Sequence, residues 1–135
     1  MKKTEAGNPG DWLFFAGEDM NAVKLLYESK TSFTVCKSKL AEAFEKSIKA
    51  DLISRGWKLE KIHDLQKLCD LLAVHDSKKA ESIQNTVDEL SGTYAECRYP
   101  GFDLEKPDWV NLGKLISGVE SYISSLLIRR HSKSG

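Results

Sequence analysis

Apolar residues recur every three to four positions through nearly the whole chain. No segment alternates polar and apolar with period two over a useful length. Trp12, Phe15, Ala16, Val23 and Leu26 form one stripe, and Phe33, Cys36, Leu40, Phe44, Ile48 and Leu52 form a second. Leu65, Leu68, Cys69 and Leu72 follow, then Ile83, Val87 and Leu90. Trp109, Leu112, Ile116, Val119, Ile123 and Leu126 make the last. Spacing of this kind puts the apolar side chains on one face of a helix. The pattern predicts an all-α fold, a bundle of helices. At 135 residues the chain is the size of one domain.

The breaks between stripes set the expected boundaries. Residues 1–10 hold Gly7, Pro9 and Gly10 among polar residues and read as a flexible arm, with Asp11 as cap of a helix over about 11–30. The second helix is expected from Ser32 or Phe33 to Ser54. There Arg55-Gly56 stops it, because glycine enters the left-handed region freely. Asp64 is placed to cap the third helix and Asp76-Ser77 to open the fourth. Tyr99-Pro100-Gly101 is a turn, and Pro107 suits the first turn of a helix reaching about Arg130. The domain is drawn as residues 11–131, with 132–135 as a flexible tail.

Charge narrows the function. Twenty Lys/Arg balance twenty Asp/Glu, so extended nucleic-acid binding is not expected. The balance is uneven along the chain. Residues 37–67 carry eight basic against five acidic side chains, a net of plus three, and residues 76–108 carry four against eight, a net of minus four. Such a split suits self-association or a charged small ligand. The three cysteines are widely spaced with no CxxC pair, so no metal site and no cofactor is expected. Free cysteines, no apolar leader after Met1-Lys2-Lys3 and no membrane-length apolar run make a cytoplasmic location the expectation.

Two features invite closer reading. Asp19 sits within an apolar stripe, which suits a carboxylate paired across the bundle or a site acid. On the second helix Glu42–Lys46 and Glu45–Lys49 are i,i+4 pairs in the favourable order, on a flank away from the stripe. Lys46, Lys49, Arg55, His63 and Arg98 would form an anion-binding corner if packing brought them together. No phosphate-loop, zinc-protease or nucleophile-elbow motif is present.

Several short motifs occur in a telling order. Trp12 and Asp19 lie on the first helix, with Tyr27 or Phe33 near its end. Glu45-Lys46-Ser47-Ile48-Lys49-Ala50 follows, then His63-Asp64-Leu65, then Arg98-Tyr99-Pro100. The set resembles the HEPN family of small all-helical domains over about residues 11–130. The resemblance implies an up-and-down bundle of four to five helices that commonly dimerises, and two functional groups. One cleaves RNA without a metal, through an arginine and a histidine four to six residues apart. The other is linked to nucleotide binding and to minimal nucleotidyltransferase partners in toxin–antitoxin or antibiotic-modifying systems.

Arg55 and His63 are separated by seven residues, and Arg129, Arg130 and His131 are nearly adjacent. The chain therefore resembles the second group. The expectation is a non-catalytic domain, homodimeric, that binds a nucleotide-like anion or docks a nucleotidyltransferase. Glu45, Lys46, Lys49, His63, Asp64, Arg98 and Tyr99 are the candidate contacts. Two alternatives stand beside it: a divergent RNA-cleaving toxin using His63 with Arg55 or Arg98, and an interaction module with no small ligand.

Overall fold

Asn8 starts the first helix. Its side-chain oxygen accepts the Gly10 N–H at 2.9 Å, and Pro9 supplies a helical φ at the first position. In this computed structural model α1 therefore spans Pro9–Ser29, and Asp11 lies inside its first turn rather than capping it. The buried Asp11 carboxylate accepts the Glu5 N–H at 2.9 Å, and the Trp12 indole N–H donates to the Ala6 carbonyl at 2.6 Å. Residues 5 and 6 are thus tied back onto the start of the helix. The structure describes residues 3–97, 99–101 and 106–134, and the side chains of 94, 95 and 129–134 lie outside that description.

The described residues form five further helical segments: α2 (Phe33–Ser54), α3 (Leu65–His75), α4 (Ser77–Leu90), the single turn α5 (Thr93–Glu96) and α6 (Trp109–Ser134). No strand occurs among the described residues, in agreement with the spacing of the apolar stripes. α2 ends as glycine at 56 predicts. Gly56 has φ 98°, its N–H donates to the Ile53 carbonyl, and the Trp57 N–H donates to the Leu52 carbonyl, both at 3.0 Å. The pair closes a Schellman motif. Asp64 caps α3 by accepting the Gln66 and Lys67 N–H groups, and Asp76 caps α4 through the Lys79 N–H.

The packing centres on α2. Phe33 meets Trp109 at the start of both helices, and Phe44 meets Tyr122 further along, so α2 and α6 run in the same direction. Glu45 faces His63 and Arg55 faces Asp76, so α3 also runs along α2. The extended link 57–64 makes that parallel course reachable by carrying the chain back. α4 returns antiparallel to α3, with Gln84 bonded to Gln66 and the Cys69 thiol donating to the Ala80 carbonyl. Enclosed in this way, α2 buries Leu40, Phe44, Ile48 and Leu52 completely. It also buries Ser47, Lys49 and Asp51. On the flank predicted to face solvent Lys49 is therefore buried and Glu42, Glu45 and Lys46 are half-buried, because neighbouring helices cover more of α2 than its apolar stripe requires.

Asp51 is the most demanding of these. At 1% exposure its carboxylate accepts the Tyr122 hydroxyl at 2.7 Å, the Arg55 Nε–H at 2.8 Å and the Lys79 ammonium at 3.0 Å. Burial alone would raise its pKa, but the three donors outweigh burial and hold it at about 2. A carboxyl group whose folded pKa lies below its ordinary 3.8 stabilises the fold when ionised. That contribution, on the order of 2 kcal/mol, is complete above the ordinary value and lost as pH falls through about 2. Asp51→Asn should lower the unfolding free energy at neutral pH by about 3 kcal/mol, since Arg55 and Lys79 lose the charge they face. Urea unfolding across pH should show the wild-type chain losing its advantage over the variant between about pH 4 and 2. A constant gap across that window would refute the assignment.

Candidate functional site

The motif residues form one connected face. Lys46 reaches across to α1 and donates to the Asp19 carboxylate at 2.7 Å. Lys49 donates to Glu45 at 3.0 Å, and its ammonium lies 5.4 Å from the centre of the Trp12 ring, within cation–π range. Glu45 also meets His63 Nδ1 at 3.1 Å, bridging α2 to the link before α3. The stripe acid Asp19 is thereby explained as a carboxylate paired across the bundle. The expected Glu42–Lys46 pair gives way to Lys39–Glu42 at 3.2 Å, because Asp19 offers Lys46 a better enclosed acceptor.

The candidate contacts divide by setting. Glu45, Lys46, Lys49, His63 and Asp64 come together around the middle of α2 and the start of α3. Tyr99 is exposed in the loop before α6, and Arg98 lies outside the described residues. Lys49 is almost fully buried, its side chain 4% exposed, so it serves the interior rather than a free surface. Each lysine of the step faces a carboxylate of this same chain. Arg55 turns to Asp51 and, at 3.6 Å, to Asp76. Arg55 and His63 thus sit on different carboxylates, and a metal-independent RNA cleavage would need the two to act on one phosphate.

Beside this face a cleft of about 410 Å³ opens along the first half of α2. Among the described residues, Ala41, Leu65 and Leu90 supply apolar wall, and Glu42, Glu45, Asp64 and His63 supply charged and titratable groups. Gly92 closes one side, with the Glu96 carboxylate next to it. The cleft thus presents carboxylates over an apolar floor. Among the described residues no group of three or more His, Cys, Asp or Glu side chains could hold a metal ion. No helix among them is long and apolar enough to cross a membrane.

Sequence reading missed Asp51. Its signal was an acid four residues before Arg55 inside the run Ile48 to Ile53, a spacing that reads equally as a surface pair. If the Glu45 triad is a fastener, Glu45→Ala should cost about 3 kcal/mol, because it removes the carboxylate from a buried lysine. Lys46→Ala, at a more exposed pair, should cost about 1 kcal/mol. Equal costs in urea unfolding would show that the two lysines share one environment.

No curated protein and no solved structure matches the chain. A family profile described as HEPN domain matches residues 10–126, from the second residue of α1 to the last buried leucine of α6. Trp12, Asp19, Glu45, Lys46, Lys49 and His63 all fall within that span, joined by the contacts above, and the chain belongs to the HEPN domain family.

Proposed function

We propose that this HEPN domain is a non-catalytic docking module that receives a basic segment of a protein partner in the α2–α3–α4 cleft. A minimal nucleotidyltransferase is the partner class that the family resemblance suggests. One observation carries the reading. The lysines that would hold a phosphate already face Asp19 and Glu45, whereas the open cleft beside them is lined by Glu42, Glu45 and Asp64. A phosphate entering there would meet like charge, while a lysine or arginine side chain would meet opposite charge in a partly enclosed, apolar setting.

The apolar floor matters as much as the charge. An exposed carboxylate attracts a cation only weakly, since water and salt screen the pair. Ala41, Leu65 and Leu90 give an incoming segment apolar surface to bury, and burial supplies affinity where the carboxylates supply orientation.

Two measurements test this reading. In thermal unfolding with a panel of nucleotides at millimolar concentration, no midpoint shift is expected. A nucleotide at 100 times its dissociation constant would raise the midpoint by roughly 3–6 °C. Such a shift, lost in Lys46→Ala, would restore the phosphate-binding reading. In fluorescence anisotropy a labelled peptide of alternating leucine and lysine should bind and weaken on added salt, while its leucine–glutamate counterpart should not bind. Ser38→Trp, which fills the cleft, should weaken the lysine peptide about tenfold or more. Equal binding of both peptides, or indifference to Ser38→Trp, would overturn the docking site.

A further inference from the structure

We infer that the groove between α1 and α6 binds a small zwitterion, an α-amino acid with an aliphatic side chain. Its carboxylate meets Tyr27, Lys114 and Ser117, and its ammonium meets Glu28. The groove shares no lining residue with the α2–α3–α4 cleft, so the inference stands apart from the docking reading.

The site begins with a phenol that is held in place and left unspent. Lys30 ends α1 in the left-handed region, φ 53°, a conformation that strains a lysine. From there its ammonium lies 3.6 Å from the centre of the Tyr27 ring and donates to the Tyr27 carbonyl at 2.9 Å. Trp109 of α6 meets the same ring edge to face, with centroids 6.1 Å apart. At the far end the hydroxyl lies against Gly113, where the Cβ of any other residue would overlap it. Glycine inside a helix weakens that helix, and here it leaves the space the phenol occupies. Among the described residues the Tyr27 hydroxyl has no hydrogen-bond partner, and it is not enclosed. It opens into a groove of about 510 Å³.

The charges of the groove are unspent as well. Lys24 of α1 and Glu120 of α6 pair across one end at 3.5 Å. Glu28 and Lys114, each one residue beyond the Tyr27–Gly113 contact, also line the groove, and neither pairs with a described residue. Elsewhere the bundle draws its lysines onto carboxylates, as with Lys46 on Asp19 and Lys49 on Glu45. Here an anion and a cation on facing helices border one space without meeting. A lone anion on Lys114 would be repelled by Glu28, and a lone cation on Glu28 by Lys114. A ligand that carries both charges satisfies both. The Ser117 hydroxyl, likewise without a partner among the described residues, and the Tyr27 hydroxyl add neutral donors for the carboxylate oxygens. Ile116 and Val110, the latter 73% exposed, give an aliphatic side chain apolar surface to cover.

Backbone amide NMR of the isotope-labelled full-length chain reads the binding. The probes are L-leucine, isocaproate (leucine without its amine) and isoamylamine (leucine without its carboxylate). Millimolar leucine should shift the amides of Gly113, Lys114 and Ser117, and each analogue should bind about tenfold more weakly. Tyr27→Phe, which keeps the ring and removes the hydroxyl, should weaken leucine about fivefold, and Lys114→Gln at least as much. Ser117→Ala is the second hydroxyl variant should Tyr27→Phe lose its circular-dichroism signal of folding. Glu28→Gln should weaken leucine yet strengthen isocaproate, because it removes the charge that repels a lone anion. Absence of shifts at these amides with leucine, valine or isoleucine would overturn the inference. Equal binding of leucine and isocaproate would also overturn it, since the groove would then be a site for carboxylates alone. So would leucine binding that survives Tyr27→Phe and Lys114→Gln unchanged. Ser38→Trp, which fills the other cleft, should leave leucine binding intact while the lysine peptide is lost, and that contrast separates the two sites.

Discussion

The fold hangs on a charge placed where water cannot reach it. Asp51 lies in the middle of the bundle, and three donors from three elements converge on it: Arg55 from the end of α2, Lys79 from α4 and Tyr122 from α6. An isolated carboxylate at that depth would be expelled or protonated. Its survival as an ion requires α4 and α6 to be in register with α2. A slip of α6 by one residue would turn the Tyr122 hydroxyl by about 100° away from the carboxylate. Apolar packing alone tolerates such slips more readily, because leucine faces are interchangeable to within a kcal/mol or two. Asp51 therefore selects one alignment out of several that would bury similar apolar area.

Register in α2 has a consequence for the cleft. The face that carries Lys46, Lys49 and Glu45 follows from the rotation that Asp51 and Phe44 impose on the helix. With that rotation set, Lys46 meets Asp19 on α1, and Glu45 sits between buried Lys49 and His63. Glu45 thereby holds the link ahead of α3 against α2, and Asp64, the next residue, caps α3 at that spot. The mouth of the cleft is built from these contacts. Its carboxylates are accordingly held by the same residues that fasten the bundle, and that gives a receiving surface little to reorganise on binding.

Much of this was legible in the sequence, and what was not has a physical reason. Local chemistry read well. Asp64 caps the helix assigned to it, α4 opens at Asp76-Ser77 as expected with Asp76 as its cap, and Gly56 takes the left-handed conformation that ends α2. The motif spacing led to the HEPN family. The first cap was missed because Asn8-Pro9 and Asp11 compete as signals, and Pro9 settles the competition by fixing φ at the earlier position. The EKxxK step was read as a helix flank because i,i+4 spacing is the same for a surface pair and for a buried one. Whether a lysine is interior depends on which helices cover it, and that is a property of α1, α3 and α6 together. The partners Asp19–Lys46 and Glu45–His63 are 27 and 18 residues apart, beyond the reach of any periodicity argument.

The same distinction explains why a basic excess in residues 37–67 does not make a basic site. A net charge summed along a segment says how many cations it holds, not where their counter-charges sit. Lys46 spends its charge on Asp19, Lys49 on Glu45, and Arg55 on Asp51 and Asp76. Asp19 and Asp76 come from outside the segment, so α1 and the α3–α4 junction offset two of its three excess positive charges. The carboxylates of the cleft keep a different position. Glu42 on α2, paired with Lys39, and Asp64 at the head of α3, which accepts the Gln66 and Lys67 N–H groups, both line the groove. Charge density at a protein surface is decided by which ions the fold encloses, and here Lys46, Lys49 and Arg55 are drawn onto carboxylates of the bundle while Glu42 and Asp64 line the groove.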